Sequence, residues 1–274
     1  MLKVKQRAGG SNGQQENHNR VKEVSRILSG CEAETENPSQ ELCWNEFSQE
    51  LAKKLSPSIV SLASFDGDKI HYESTGIVVE NNRRDTCCLT LSALVRTSDS
   101  ERRFIHTLKI KVHLPNDLVV DGWIRTYDLP SSMVIIKTKF SPDLSTACFS
   151  NCVQVEPQTE LLAVKRCFKS GKLMVTNGVS SDSPSEVGTK GFMLSTCKII
   201  MDGSGGPVVD FDGNIVGMND YHDQEGARYV QGPKIVECLN GFWSRREEVR
   251  KNCMQNCSSA WKRRLEGFRS VVQG

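Results

Sequence analysis

Apolar residues between positions 59 and 236 come in short runs divided by Gly, Pro, Asn and Asp. Ile59-Val60-Ser61-Leu62, Thr75 to Val79, Cys87 to Val95, Met133 to Ile136, Leu161 to Val164 and Leu173 to Val175 are such runs. Leu108 to Leu114 alternates apolar and polar residues, the period of a half-buried strand. Gly67 and the stretch Asn81 to Asp85 mark turns, and Asp212-Gly213 between two apolar runs predicts a two-residue hairpin. Ser180 to Ser185 reads as a polar loop. The pattern predicts an all-β domain over residues 56–240.

The flanks differ. Residues 1–37 are polar, with one weak apolar patch at Val21, Val24, Ile27 and Leu28, and predict a disordered arm. Leu42, Phe47, Leu51 and Leu55 fall roughly on one face of a lead-in helix over residues 38–55 that starts at Pro38. Residues 241–274 predict a basic helical tail, with Arg245-Arg246, Arg250-Lys251 and Lys262-Arg263-Arg264 as its charge clusters.

Composition narrows the function classes. The chain has 274 residues, 38% of them apolar and 25% charged, enough to bury a sizeable core. A net charge of +2 announces neither a nucleic-acid nor a membrane partner. No apolar window is long enough to span a bilayer, and Met1 to Arg7 lacks the apolar region of a secretory signal. These features predict a cytoplasmic or nuclear protein. Its 11 cysteines, irregularly spaced, are then expected as free thiols rather than disulfides. Cys253 and Cys257 lie four apart but lack a second ligand pair, so no metal site and no cofactor is predicted.

One stretch carries candidate chemistry. Asp202-Gly203-Ser204-Gly205-Gly206-Pro207 sets a serine in a glycine-rich loop ahead of the run Val208-Val209. Glycines there let the backbone take positive φ and leave amide groups uncovered. An exposed hydroxyl beside backbone donors, about 3 Å from where an oxyanion forms, is what serine catalysis uses.

This block, with Asp212-Gly213-Asn214-Ile215-Val216-Gly217 behind it, resembles the nucleophile loop of trypsin-like serine proteases, above all the HtrA/Deg branch. Leu55 to Leu62 and Ser74 to Val79 resemble the opening of the same domain, and Pro233 to Leu239 its closing helix. The resemblance implies two packed six-stranded β-barrels with a Ser-His-Asp triad in the cleft between them. It places Ser204 at the nucleophile and Asp202-Gly203 in the oxyanion loop. It also implies a strand edge at Gly217, Met218 and Asn219 that could take an extended peptide.

The other triad positions do not follow the pattern. Matching Leu89-Thr90 puts the general base at Ala93, and matching Met133 to Lys137 puts the orienting acid at Ser132. Asp128 lies four residues before that position, in a predicted turn. The family's Gly stands two residues before its Ser, where this chain has Asp202. Of His18, His71, His106, His113 and His222, only His222 is expected on the barrel of Ser204, in the loop after Met218.

Three functions follow as expectations. The first is an inactive trypsin-like domain that binds protein or peptide segments. The second is a serine endopeptidase using Ser204 with a relocated base, His222. The third is binding of an acidic partner or nucleic acid by the basic tail. Oligomeric state is not legible.

Overall fold

A computed structural model describes residues 42–43, 49–96, 107–128, 130–149, 155–184, 191–222 and 226–245. Its strands are β1 (Leu42–Cys43), β2 (Ile59–Asp66), β3 (Lys69–Asn81), β4 (Asp85–Leu91), β5 (Lys109–His113), β6 (Val119–Asp128), β7 (Met133–Lys139), β8 (Glu160–Arg166), β9 (Leu173–Pro184), β10 (Phe192–Ser195), β11 (Pro207–Val209), β12 (Ile215–His222) and β13 (Gly226–Gln231). Two helices flank them: α1 (Gln49–Leu55) and α2, residues 232–245.

The strands close into two antiparallel barrels. The first runs β2-β3-β4-β7-β6-β5. The second runs β8-β9-β10-β13-β12-β11 and back to β8, with β1 added to the side of β9. The expected architecture of two six-stranded barrels is present, with α2 beyond the last strand.

Burial explains the sequence pattern. Val134 and Ile136 of β7 fill the first barrel, while Met133 and Ile135 point the other way into a core shared by both barrels. In β8, Leu161 and Ala163 fill the second barrel, while Leu162 and Val164 enter the shared core. Strands buried on both faces read as continuous apolar runs rather than alternating ones. Ile235, Cys238, Leu239 and Phe242 of α2 complete the shared core.

Three stretches differ from the sequence reading. The lead-in helix is described only from Gln49, and Leu42–Cys43 form a strand instead. That pair adds to β9 opposite Val175 and Met174, so pairing overrides the helical spacing of Leu42. Ser180 to Pro184 continues β9 rather than forming a loop. The turn at Asp212-Gly213 is longer than two residues, because Val209 pairs with Ile215. Asp210 Oδ1 accepts the amides of Asp212 and Asn214 and so holds a wider connection, with Gly213 at φ 76°. The N-terminal arm and most of the basic tail lie outside the described residues.

Candidate active site

Ser204 follows a single 3-10 turn, Met201–Gly203, and leads through Gly205 and Gly206 into β11. Gly205 has a φ of 84°, and a Cβ there would overlap Thr90 Oγ1 and the Thr75 carbonyl. Only glycine lets the loop press this closely onto β3 and β4 of the first barrel. The loop therefore sits in the seam between the barrels.

Thr75 of β3 is the fastening point. Its amide donates to the Ser204 carbonyl (3.0 Å) and its hydroxyl to the Asp202 carbonyl (3.1 Å). The same hydroxyl accepts the amide of Arg166 (3.1 Å), and the Thr75 carbonyl accepts Thr90 Oγ1 (2.7 Å). On the other side, the Gly205 amide donates to the Asn219 carbonyl and the Asn219 amide to the Gly206 carbonyl.

Ser204 itself is only 1% exposed. Its hydroxyl oxygen accepts the amide of Tyr221 at 3.0 Å. A lone pair committed to an amide is less available to attack a carbonyl. An oxyanion hole needs amides aimed outward. Here the Gly203 amide donates to the Ile200 carbonyl (2.9 Å) and the Ser204 amide to the Met201 carbonyl (3.1 Å), so both close the 3-10 turn. Asp202 takes no left-handed conformation, and its carboxylate pairs with Lys165 Nζ at 3.0 and 3.1 Å.

The two positions matched to the family's base and acid are brought next to each other. Ala93 lies in the 3-10 turn Ser92–Val95 that ends β4, and Ser132, at φ 54°, lies just before β7. The Ser92 amide donates to the Ser132 carbonyl at 2.7 Å, one step beyond the pair Leu91–Met133. A methyl and a hydroxyl stand there, and neither takes up a proton near neutral pH. Asp128, at the end of β6, accepts the Ser131 hydroxyl (2.6 Å) and amide (3.1 Å) and so holds the turn.

The described imidazoles are bonded elsewhere. His71 Nε2 meets the Arg96 carbonyl at 2.8 Å, and His113 Nδ1 the Phe168 carbonyl at 2.6 Å. His222 ends β12, paired with Gly226, rather than lying in a loop as expected. It follows Tyr221, whose amide reaches Ser204. His18 and His106 lie outside the described residues.

The expected open edge is not there. Gly217 pairs with Val208 on one side and Gln231 on the other, and Met218 with Pro207 and Val230. Asn219 pairs with Tyr229 and uses its remaining backbone groups on the Gly205-Gly206 loop. Barrel closure by β11 and β13 consumes both sides of this strand.

One group of possible metal ligands exists among the described residues, Glu80, Asp85 and Cys87, on the first barrel. Arg125 Nη1 already occupies it, 2.6 Å from Cys87 Sγ, 3.4 Å from Asp85 and 3.5 Å from Glu80. Burial pushes the Cys87 thiol up to about 11, which disfavours the thiolate a metal needs. Cys253 and Cys257 lie outside the described residues. The six cysteines whose side chains are described are free thiols.

Sequence reasoning missed Lys165, Thr75 and Tyr221. Lys165 carried a signal, a lysine that directly follows the apolar run Leu161 to Val164 within the same strand and whose buried stem requires a partner. The amides of Gly203, Ser204 and Tyr221 carried none, because backbone groups leave no mark on residue type.

Three comparisons bear on the family. The Trypsin-like peptidase domain matches residues 74–218, just over half of the chain. Protease Do-like 14 of Arabidopsis thaliana is 27% identical over 180 residues, 61% of this chain and 41% of that protein. The chain thus spans well under half the length of that relative. A crystal structure of the serine endoprotease from Yersinia pestis superposes with a TM-score of 0.56 at 16% identity, over 73% of this chain and 67% of that one, and shares the fold. Both barrels, the serine loop in their seam and the match over residues 74–218 place this chain in the trypsin-like peptidase domain family.

Proposed function

We propose that this chain is a trypsin-like domain without peptidase activity that serves as a protein-binding module. The observation that carries the reading is the state of Ser204. Its hydroxyl accepts the Tyr221 amide, and its own amide and that of Gly203 close a 3-10 turn. Ala93 and Ser132 support it, since neither can act as base or orienting acid. A family fold kept without its proton-transfer groups retains a rigid, two-barrel surface for binding. The peptide edge at Gly217, Met218 and Asn219 is no part of this proposal, because both its sides are paired.

A second reading, a serine endopeptidase with His222 as base, rests on one observation. Residue 222 adjoins Tyr221, whose amide lies 3.0 Å from Ser204 Oγ. A fluorophosphonate probe separates the two. The first reading expects no labelling of Ser204 and no peptide hydrolysis. Prompt labelling abolished by Ser204→Ala and by His222→Ala overturns it and makes His222 the base. The basic-tail reading concerns residues that lie, but for 241–245, outside the described ones.

A further inference from the structure

The outer face of the first barrel carries an ordered grid of lysines around an exposed tryptophan. On β5, β6 and β7 the residues facing inward are Ile110, Val112 and Ile136, and a Cβ on Gly122 would meet all three. Their alternates face outward: Lys109 and Lys111 on β5, Asp121 and Trp123 on β6, Lys137 and Lys139 on β7. Register makes two rows of them. Trp123 pairs with Lys137 and Asp121 with Lys111. Extending the ladders by one residue sets Lys109 beside Trp123 and Lys139 beside Asp121. The rows are therefore Lys109–Trp123–Lys137 and Lys111–Asp121–Lys139.

The lysines outnumber what neutralises them. Lys111 Nζ bonds Asp121 at 2.7 Å, and Lys137 Nζ bonds Asp85 at 2.9 Å. Lys109 and Lys139 have no hydrogen-bond or ion-pair partner among the described residues. Asp121 is held below its usual carboxylate range first by its bond to Lys111, then by the charges of Lys111, Lys139 and Lys109, so one carboxylate feels three ammonium groups. Trp123 is 51% exposed. Val119, on the same strand face, and Phe140, next to Lys139, are also exposed. Helix α2 reaches β6 further along, where Arg125 lies over the Trp243 ring.

We propose that this face docks an extended protein segment in which acidic and large apolar side chains alternate. Lysines two apart on one strand stand about 6.7 Å from each other, the same repeat as carboxylates two apart on an extended peptide. The two lysine columns lie about 9.6 Å apart, on either side of β6, so a segment along β6 meets ammonium groups on both flanks. Trp123 between the columns offers the apolar anchor that dominates small protein interfaces. Asp121 in the second row disfavours a continuous phosphate backbone, which makes single-stranded nucleic acid the lesser fit. The inference names the partner chemistry of the binding module proposed above, and rests on that reading for the partner being protein.

The test uses the full chain and a fluorescein-labelled peptide alternating Glu with Leu and Phe, read by anisotropy, with a short oligothymidylate as competitor. Binding is expected to weaken about tenfold or more in Lys109→Glu/Lys139→Glu, and about tenfold in Trp123→Ala. It is also expected to weaken as sodium chloride rises from about 50 to about 300 mM. Circular dichroism confirms that each variant folds, and Lys69→Glu, on β3 outside the grid, is expected to bind as the parent does. Absence of peptide binding, or equal binding by the grid variants, overturns the proposal. So does displacement of the peptide by oligothymidylate at lower concentration than by unlabelled peptide. Fluorophosphonate labelling is run beside it. A labelled Ser204 with intact grid-dependent binding sinks the inactive-domain reading alone, and an unlabelled Ser204 with no binding sinks the docking surface alone.

Discussion

The backbone amide of Ser92 donates to the carbonyl of Ser132 at 2.7 Å, which ties the turn that carries Ala93 to the turn that carries residue 132. The two positions that match the family's base and orienting acid are therefore held side by side, with a methyl and a hydroxyl in them. Ala93→His alone is expected to give no fluorophosphonate labelling, because an imidazole without its acid lacks a fixed tautomer, a defect worth about 10⁴ in rate. Ala93→His with Ser132→Asp, Asp202→Gly and Gly203→Asp is the smallest change expected to give labelling. A Cβ at residue 203 meets Ile199 no closer than 3.6 Å, so the exchange is sterically open. Labelling by the single variant would show that the imidazole needs no partner here.

Thr75 contributes one hydroxyl to two elements, donating to Asp202 and accepting from Arg166. Thr75→Val keeps the shape and removes the partner of the buried Arg166 amide and of the half-buried Asp202 carbonyl, so it is expected to cost about 1–3 kcal/mol in urea unfolding. Thr75→Ser keeps the hydroxyl and should recover most of that loss. Equal loss in both variants would assign the effect to packing.

The glycines of the loop are not equivalent. Gly205→Ala forces a Cβ into Thr90 and the Thr75 backbone at a left-handed φ, and is expected to cost more than about 1 kcal/mol. Gly203→Ala meets only ordinary contacts and is expected to stay within about 0.5 kcal/mol of the parent. Thermal melts of the two variants check the contrast.

Base should weaken the fold through its thiols. Burial pushes Cys87 and Cys197 from an ordinary 9.0 up to about 11 and raises Cys88 and Cys238 as well. Their folded values lie above the unfolded one, so the stabilisation they contribute is complete below pH 9 and is lost as pH rises through about 11. The urea midpoint is expected to fall across that window, and less steeply in Cys197→Ala. At neutral pH a maleimide should modify exposed Cys148 before Cys87, Cys88 or Cys197. A midpoint that is flat across the window would mean these thiols ionise alike in both states.

Legibility followed the physics of each feature. The barrels were readable because strands such as β7 and β8 are buried on both faces and write uninterrupted apolar runs. Family motifs singled out Ser204, Ala93 and Ser132, since residue type is visible in the sequence. What escaped was carried by backbone groups or by distant pairing. The amide of Tyr221 on Ser204, the closed sides of Gly217 and Met218, and the strand at Leu42–Cys43 all depend on partners far along the chain. Periodicity reports which face of a segment is apolar, and is silent about which strand will lie beside it.

The pairing of Asp202 with Lys165 also ties the serine loop to β8. Asp202→Gly removes that carboxylate and adds neither a base nor an acid beside Ser204. Ala93→His leaves Ser204 bonded to Tyr221. The loop is thus a clamp between the barrels, fastened to β8 through a side chain and to β3 and β12 through backbone groups, and a change at one fastening leaves the others in place.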